Sequence, residues 1–258
     1  MRLSYVIPTR NQAPFLRQCL DSCLAQGTED AEVLVVDGAS TDGTQELLAS
    51  YGDRIRWRSK PDRGQSDAIN QGVAMARGEL VAWINSDDYY ADARVMTEIL
   101  AAFADPQVDI VYGDGLRVDV SGAPIGPYRA SPWVDVETLV ASPLTFVLQP
   151  CLVFRRALYL EVGGLDEALH YTMDYDLWLR LFPAARSTRQ LRRVVACARY
   201  HADAKSVAQM GKQIEEAYRV KRKAAARLGL RAQIRLHGSM ASLWAYWLAV
   251  RTGLRRAA

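Results

Sequence analysis

An apolar run passes directly into two adjacent carboxylates in the segment Trp83-Ile84-Asn85-Ser86-Asp87-Asp88-Tyr89-Tyr90. The run itself, residues 79–84, is short and apolar, which is typical of a strand buried on both faces. In an open parallel sheet, ligands bind at the carboxyl ends of the strands. The segment therefore predicts a buried strand that leads into a polar site.

The carboxylate pair has two interpretations. Like charges raise each other's pKa unless a cation neutralises them, and Mg²⁺ or Mn²⁺ bound to diphosphate oxygens needs only one or two protein carboxylates. Alternatively, Ser86 and Asp87 cap a helix predicted over residues 92–103. The pair alone leaves both interpretations open.

The composition indicates a packed α/β protein. A chain of 258 residues, half of them hydrophobic, is long enough for one domain with additions or for two small domains. No signal-peptide pattern follows Met1, and the four cysteines show no metal-ligand spacing. We expect a reduced, cytoplasmic protein.

The net charge of +3 hides an asymmetry along the chain. Residues 205–258 contain 12 Lys and Arg against 2 Glu, a net charge of +10, whereas the remaining 20 Lys and Arg against 27 Asp and Glu give −7. A basic segment on an acidic body suggests a polyanionic or membrane-surface partner.

Strands and helices alternate over the first ninety residues. Strands are predicted at 3–8, 32–37, 55–58 and 79–84, separated by helices at 14–26, up to 51 and at 66–76. This β-α pattern predicts a mainly parallel sheet with right-handed crossovers, extended by a helix to residue 104 and a strand at 109–112. Neither a G-x-G-x-x-G nor a Walker A motif is present, so side chains and metal would hold a nucleotide here.

The pattern changes after residue 112. Prolines and glycines over 113–150 predict hairpins and loops, and two helices are predicted at the end, one up to 228 and one at 231–251.

Three further residues are candidates for function. Asp37, at the end of the second strand, is either a turn residue or a nucleotide contact. Asp174 follows a glycine-bearing turn and is either a helix N-cap or a general base. His201 ends an apolar strand predicted at 193–200 and is either structural or a Mn²⁺ ligand.

Six motifs then occur in a recognisable order: VIPTRN, VVDGASTDGT, DRGQSDAINQG, WINSDDYY, GGLDEALHYTMDYDLWLRL and ARYH. Over residues 3–206 the chain resembles family 2 glycosyltransferases. The resemblance implies a GT-A fold, which is a single Rossmann-like, mixed and mainly parallel sheet flanked by helices. It also implies inverting transfer of a sugar from a nucleotide diphosphate sugar to an acceptor hydroxyl with Mn²⁺ or Mg²⁺, in bacterial surface polysaccharide or glycolipid assembly. The acceptor would be a glycan or a lipid-linked molecule.

The resemblance also assigns roles and boundaries. It implies that Asp174 is the catalytic base and that Asp87 and His201 bind the metal. The nucleotide sugar would be contacted by Pro8, Thr9, Asn11, Asp37, Asp62, Asp67, Asn85, Ser86 and Asp88. We expect a glycosyltransferase domain at 1–204, with a nucleotide-sugar half at 1–112 and an acceptor half at 113–204, and a basic helical extension at 205–258.

The chain departs from the family pattern at three positions. The family often reads V-D-D-G-S, and its second Asp, which contacts uracil, is Gly38 here. Base recognition is therefore expected to shift, with Asp62 as the candidate, and UDP is the expected nucleotide, with GDP and dTDP as alternatives. Met173 replaces the usual Glu beside the base, and Asn85 replaces the first Asp of the D-x-D motif.

The C-terminal extension carries apolar residues at helical spacing: Met240, Leu243, Trp244, Trp247 and Leu248, followed by Arg251. The apolar run is too short to span a bilayer. Either the helix lies at the inner membrane face, with Trp at headgroup depth, or it packs on the body or on a second subunit in a homodimer.

Two other functions compete with the transferase. A non-catalytic sugar-nucleotide or glycan-binding module on the same fold is favoured by Asn85 and Met173. A nucleotidyltransferase would want a glycine-rich basic loop after the first strand, which residues 8–11 do not provide. No aromatic-basic recognition motif accompanies the basic extension, so no nucleic-acid partner is expected.

Overall fold

The computed structural model describes residues 2–133, 135–142, 145–200 and 209–251. These residues form one sheet with helices packed against it. The strands are β1 (Leu3–Thr9), β2 (Ala31–Asp37), β3 (Arg56–Ser59), β4 (Leu80–Trp83), β5 (Tyr89–Tyr90), β6 (Val108–Val118), β7 (Pro124–Tyr128), β8 (Leu152–Arg155) and β9 (Ser187–Arg199). The helices are α1 (Ala13–Leu24), α2 (Thr44–Ser50), α3 (Gln65–Met75), α4 (Val95–Ala102), α5 (Val136–Ala141), α6 (Arg156–Glu161), α7 (Met173–Ala184), α8 (Met210–Leu228) and α9 (Leu230–Arg251).

The sheet has the strand order β3-β2-β1-β4-β8-β6-β9-β5, with β7 paired to β6. Strands β1 to β4 run parallel, and β6 and β9 run in the same direction because β8 lies antiparallel between β4 and β6. Only β5, β7 and β8 run against this direction among the described strands. The prediction of a mixed, mainly parallel α/β sheet is confirmed.

The strand register collects polar residues at one edge of the sheet. Thr9 pairs with Asp37, and Asp37 pairs with Ser59, so the carboxyl ends of β1, β2 and β3 are level with one another. Strand β4 joins this edge because Trp83 pairs with Val6 of β1. The residues after each strand therefore meet along one line.

Strand β6 is longer than its sequence suggests. It continues through Gly113 and Gly115 to Val118, so the prediction that the strand ends at residue 112 is wrong. A Cβ at Gly113 would lie 2.7 Å from Val195 Cγ2, and one at Gly115 would lie 2.6 Å from Leu148 Cδ1. These glycines do not break the strand; they allow β9 and the chain before β8 to approach its backbone closely. The same pairing starts β9 at residue 187 instead of 193.

The segment after β4 also differs from one prediction. Helix α4 begins at Val95 with Arg94 as its N-cap, and β5 lies between it and the carboxylate pair. Ser86 and Asp87 therefore do not cap this helix, and the capping interpretation is wrong.

Packing between β4 and α7 brings distant parts of the chain together. The ring centroids of Trp83 and Trp178 are 6.4 Å apart, and both side chains are buried. Trp83 lies four residues before Asp87, and Trp178 lies one helical turn after Asp174. This aromatic contact places the two predicted functional segments side by side.

Helices α8 and α9 pack on the body through α5 and α7. Ala232, Leu236 and Met240 of α9 are buried at i, i+4 spacing, and Trp244 packs beside them. In the part of the chain that the structure describes, no helix has the length and apolar character needed to cross a bilayer.

Candidate active site

A cleft of about 580 Å³ opens at the carboxyl ends of β1 and β4. Its volume is in the range of ligand pockets. Eight of the predicted site residues line it: Pro8, Thr9, Asp62, Asn85, Ser86, Asp87, Asp88 and Asp174. The fold therefore brings together the segment after β4 and the start of α7, which lie far apart in sequence.

The carboxylate pair has an asymmetric environment. Asp88 is buried, and its carboxylate accepts the backbone amide of Arg199 at 2.9 Å and a hydrogen bond from the Asn85 side chain. Burial, together with the neighbouring charge of Asp87, raises the pKa of Asp88 well above its ordinary value. Asp87 is half-buried at the cleft wall. A cation at Asp87 would offset the repulsion between the two groups.

Asn85 is held as a neutral amide. Its side-chain oxygen accepts hydrogen bonds from Trp83 Nε1 at 3.1 Å and Gln65 Nε2 at 2.8 Å, while its amide group reaches Asp88. A carboxylate at this position would have no hydrogen to donate to Asp88 and would add a third negative charge. The departure from the family's D-x-D motif therefore has a local physical reason.

The donor set fits a divalent cation that also binds its substrate. Within the described ranges, no group of three or more His, Cys, Asp or Glu side chains could hold a metal by itself. His201 lies outside the described residues. The Asp87 carboxylate at the cleft wall is an oxygen ligand of the kind Mg²⁺ prefers when phosphates and water complete its shell.

Asp174 is the second residue of α7, whose N-cap is Thr172, so the N-cap interpretation of Asp174 is wrong. Its carboxylate accepts the Tyr175 backbone amide at 2.8 Å and reaches the cleft. Burial, with a smaller contribution from the charge of Glu216, raises the pKa of Asp174 to about 6. A carboxylate with this pKa is suited to accept a proton near neutral pH.

Three predicted residues lie around the cleft without lining it. Asp37 is buried and accepts hydrogen bonds from Ser40 N at 3.0 Å and Ser59 Oγ at 2.6 Å, which confirms its turn-forming interpretation. The side-chain oxygen of Asn11 accepts the backbone amide of Thr41, in the loop between β2 and α2, at 2.9 Å.

Asp67, the third, accepts hydrogen bonds from the backbone amide and the guanidinium of Arg63, each at 3.0 Å. These bonds hold the pKa of Asp67 well below its usual range. All three residues shape the loops that form the cleft, and their direct contact with a nucleotide stays a prediction.

The structure adds residues that sequence reasoning did not single out. Arg199 lines the cleft and donates to Asp87 O at 3.0 Å, Val120 O at 2.7 Å and Gln18 Oε1 at 2.6 Å. It therefore ties β9 to α1 and to the carboxylate segment. The ARYH motif includes Arg199 and so indicates its importance, but nothing in the local sequence indicates which residues it contacts. The cleft is also lined by Arg10, Gln149, His170 and Gln213.

Three buried polar atoms in the cleft residues are unpaired within the described chain. Thr9 Oγ1, Gln12 Oε1 and Gln149 Oε1 have no hydrogen-bond partner there. Buried polar atoms are normally satisfied, so these three are available to a ligand or to water.

The family model for glycosyl transferase family 2 matches residues 4–163. An uncharacterized glycosyltransferase of Rickettsia felis is 31% identical over 190 residues, which cover 71% of this chain and 32% of the relative. A PGL/p-HBAD biosynthesis glycosyltransferase of Mycobacterium bovis is 29% identical over 199 residues, or 75% of each chain. The chain thus spans about a third of the length of the Rickettsia felis relative.

Solved structures share the fold. S. aureus TarS in complex with UDP-GlcNAc superposes with a TM-score of 0.70 at 20% identity, covering 93% of this chain and 72% of TarS. The Pyrobaculum calidifontis mannosyltransferase PcManGT, in complex with GDP-Man and Mn²⁺, superposes with a TM-score of 0.64 at 20% identity, covering 96% of this chain and 75% of PcManGT. Because the family model matches more than half of this chain, from β1 to β8, the chain belongs to glycosyl transferase family 2.

Proposed function

We propose that this glycosyltransferase inverts the configuration of the sugar that it transfers from a nucleotide diphosphate sugar to an acceptor hydroxyl. One observation carries the proposal: Asp174, with its pKa raised to about 6, lines the same cleft as Asp87. An inverting transfer needs a base for the acceptor on one side of the sugar and charge stabilisation for the diphosphate on the other.

In the proposed reaction, the acceptor oxygen forms a bond to the anomeric carbon as the bond to the diphosphate breaks. Asp174 takes the proton of the acceptor hydroxyl, and the electron pair leaves with the nucleoside diphosphate. Arg10 lines the cleft and is placed to face negative charge there, whereas the guanidinium of Arg199 is engaged by Asp87 O, Val120 O and Gln18 Oε1. Trp83 and Met173 exclude water from the wall behind the site.

Metal binding is a further part of the proposal. Asp87 would hold Mn²⁺ or Mg²⁺, with Asp88 behind it and His201 assigned by the family resemblance alone. The ion supplies Lewis-acid stabilisation of the diphosphate. Support comes from the oxygen donor set of the cleft and from the Mn²⁺ in the PcManGT complex.

Nucleotide titration tests the donor site. UDP, GDP and dTDP are titrated calorimetrically, with and without Mn²⁺, into wild type, Asp87→Ala and the control Asp53→Ala, whose carboxylate is exposed outside the cleft. We expect metal-dependent binding of one nucleotide by wild type and the control, and its loss in Asp87→Ala. Absence of binding for all three nucleotides would contradict the donor site.

The rival function is a non-catalytic binding module on the same fold, and the buried Met173 in place of the family's Glu favours it. Single-turnover assays with the nucleotide sugar that binds distinguish the two functions. Sugar transfer or donor hydrolysis that disappears in Asp174→Asn supports the enzyme. Tight binding with no turnover under any condition supports the module.

A role in surface polysaccharide or glycolipid assembly is proposed from the relatives' names, which include PGL/p-HBAD biosynthesis. At the start of α9, Leu230 and Ile234 are 72% and 64% exposed, next to Arg231. This apolar-basic surface would contact anionic lipid that presents the acceptor.

Liposome flotation with Leu230→Gln/Ile234→Gln tests the lipid contact, with exposed Val120→Gln as control. Equal flotation of all forms would contradict the contact. A concentration-dependent mass that only the double variant loses would instead assign the surface to a second copy.

A further inference from the structure

Helix α8 reaches the segment that carries the proposed base. Glu216 of α8 is 2% exposed, and its carboxylate lies against the backbone before Asp174. Oε1 accepts the amides of Tyr171 at 2.7 Å and Thr172 at 2.8 Å, and Oε2 accepts the amide of His170 at 3.0 Å. The Thr172 hydroxyl also donates to Glu216 at 3.0 Å. Three consecutive amides thus converge on one side chain.

The start of α7 depends on this carboxylate. The N-cap residue Thr172 does not cap the helix with its own side chain: its hydroxyl donates to Glu216 and accepts no first-turn amide. Backbone N–H groups before a helix are costly when they are buried without a partner, and a carboxylate is favoured there by the helix dipole. Glu216 therefore satisfies backbone amides that a side chain at or near the N-cap of the same helix usually satisfies.

The charge of Glu216 is held by amides and not by a close cation. The guanidinium of Arg219 is 3.9 Å away and its side chain is 69% exposed. Burial would raise the pKa of Glu216, but the hydrogen bonds from His170, Tyr171 and Thr172 bring it below the ordinary value. Glu216 is consequently ionised whenever Asp174 titrates.

Helix α8 contributes to the site on both sides of this contact. Gln213, one turn earlier, lines the cleft. Lys221, five residues later, is buried, donates to the carbonyl of Ser142 and lies 5.1 Å from the Tyr175 ring centroid. The contact is therefore part of a packed interface between α8 and the start of α7.

We propose that Glu216 is a positioning residue, which holds the segment from His170 to Thr172 so that Asp174 faces the acceptor. This inference rests on the proposed function of Asp174 as base. The role of Glu216 makes helix α8 of the C-terminal extension a part of the active site. A displacement of about 1 Å far from the reacting atoms can cost about 10²-fold in rate, so loss of this anchor should lower kcat without weakening nucleotide binding.

Charged and titratable groups share the cleft with Asp174 or act on it from neighbouring elements. In the cleft they are Arg10, Asp62, Asp87, Asp88, His170, Tyr171, Arg199 and Tyr200, and outside it they include Tyr128 on β7 and Glu216 on α8. Among them, Glu216 adds negative charge from outside the cleft. Its neutralisation should shift the titration of Asp174 to lower pH, a signature that a merely structural residue would not produce.

The test compares wild type with Glu216→Gln, which keeps the shape of the side chain, and with Glu215→Gln, an exposed neighbour on α8. The Asp174 carboxyl is titrated by ¹³C NMR, and kcat, donor KM and their pH profiles are measured. We expect Glu216→Gln to lower the Asp174 midpoint and reduce kcat about 10- to 100-fold with donor KM within about twofold of wild type. Glu215→Gln should match wild type.

An unchanged Asp174 titration and kcat in folded Glu216→Gln would overturn the proposal. If the midpoint shifts but wild type transfers no sugar, the positioning holds and the proposed function fails. Amide hydrogen exchange of wild type keeps the idea falsifiable should the variant not fold: the amides of residues 170–172 should be protected, and rapid exchange there would overturn it.

Discussion

A Cβ atom at Gly38 would lie 2.6 Å from Asp62 Oδ2 and 3.3 Å from Arg10 Cδ. Gly38 does not have a positive φ, so a side chain there is opposed by the position of Asp62 and not by backbone conformation. Asp62 lines the cleft and accepts the Gly64 amide at 2.9 Å. The volume in which the family's second Asp would sit is thus taken by Asp62.

This relationship predicts coupling between the two positions in nucleotide binding. Gly38→Ala should displace the Asp62 carboxylate and weaken nucleotide binding, whereas in an Asp62→Ala background the same change should have little effect. A double-mutant cycle by calorimetric titration should give a coupling of about 0.5–3 kcal/mol. Additive effects would argue against Asp62 as the group that replaces the family's Asp.

Removal of the proposed base should affect the rate far more than binding. We expect Asp174→Asn to lower kcat about 10²–10⁴-fold, equivalent to about 3–5 kcal/mol, with nucleotide affinity retained. Wild-type activity should rise as pH increases through about 6, because Asp174 must be ionised to accept a proton. A flat rate between pH 5 and pH 7 measured under single-turnover conditions would contradict this role.

The same substitution should stabilise the fold. Since the folded-state pKa of Asp174 is above the ordinary value of 3.8, its protonated form favours folding, and this stability is lost as pH rises through about 6. The neutral side chain of Asp174→Asn does not ionise, so this variant keeps that stability as pH rises. The difference in free energy of unfolding should grow from pH 4 to about 1–3 kcal/mol above pH 6. Denaturant titrations at several pH values measure it, and a constant difference would exclude the shifted pKa.

Ala39, beside Gly38, has a φ of 59°, in the left-handed region that disfavours side chains. Ala39→Gly should raise the free energy of unfolding by about 0.5–1 kcal/mol, since the relief of strain exceeds the added entropy of the unfolded chain. Ala49→Gly, in the exposed last turn of α2, is the control and should lower the free energy of unfolding by up to about 1 kcal/mol. Equal signs for the two variants would show that Ala39 is unstrained.

Restoring the family's Asp at position 85 should destabilise this protein. Asn85→Asp removes the hydrogen bond to Asp88 and adds a charge beside it, at a cost of about 1–3 kcal/mol in unfolding free energy. In an Asp88→Asn background the cost should shrink, because the repulsion is gone. A cost that is the same in both backgrounds would assign it to the Trp83 and Gln65 contacts instead.

Sequence reasoning predicted well wherever structure is dictated locally. The strands β1 to β4 and their helices were predicted because apolar runs, Gly and Pro are local signals, and Asp87 and Asp174 were singled out by motif. Glycine usually weakens strands, so the sequence predicts an end of β6 that is too early, whereas Gly113 and Gly115 allow the neighbouring chain to approach closely.

The tertiary structure alone decided which groups surround these residues. Glu216 contacts an amide 46 positions away, and Arg199 reaches Gln18 across 181 positions. Such contacts have no local signature, because any Glu or Arg on an amphipathic element has the same pattern in sequence. By itself, the sequence determined the mainly parallel sheet and the acidic residues at its edge. Packing of Trp83 on Trp178, and of α8 on the start of α7, decided that these residues share one cleft.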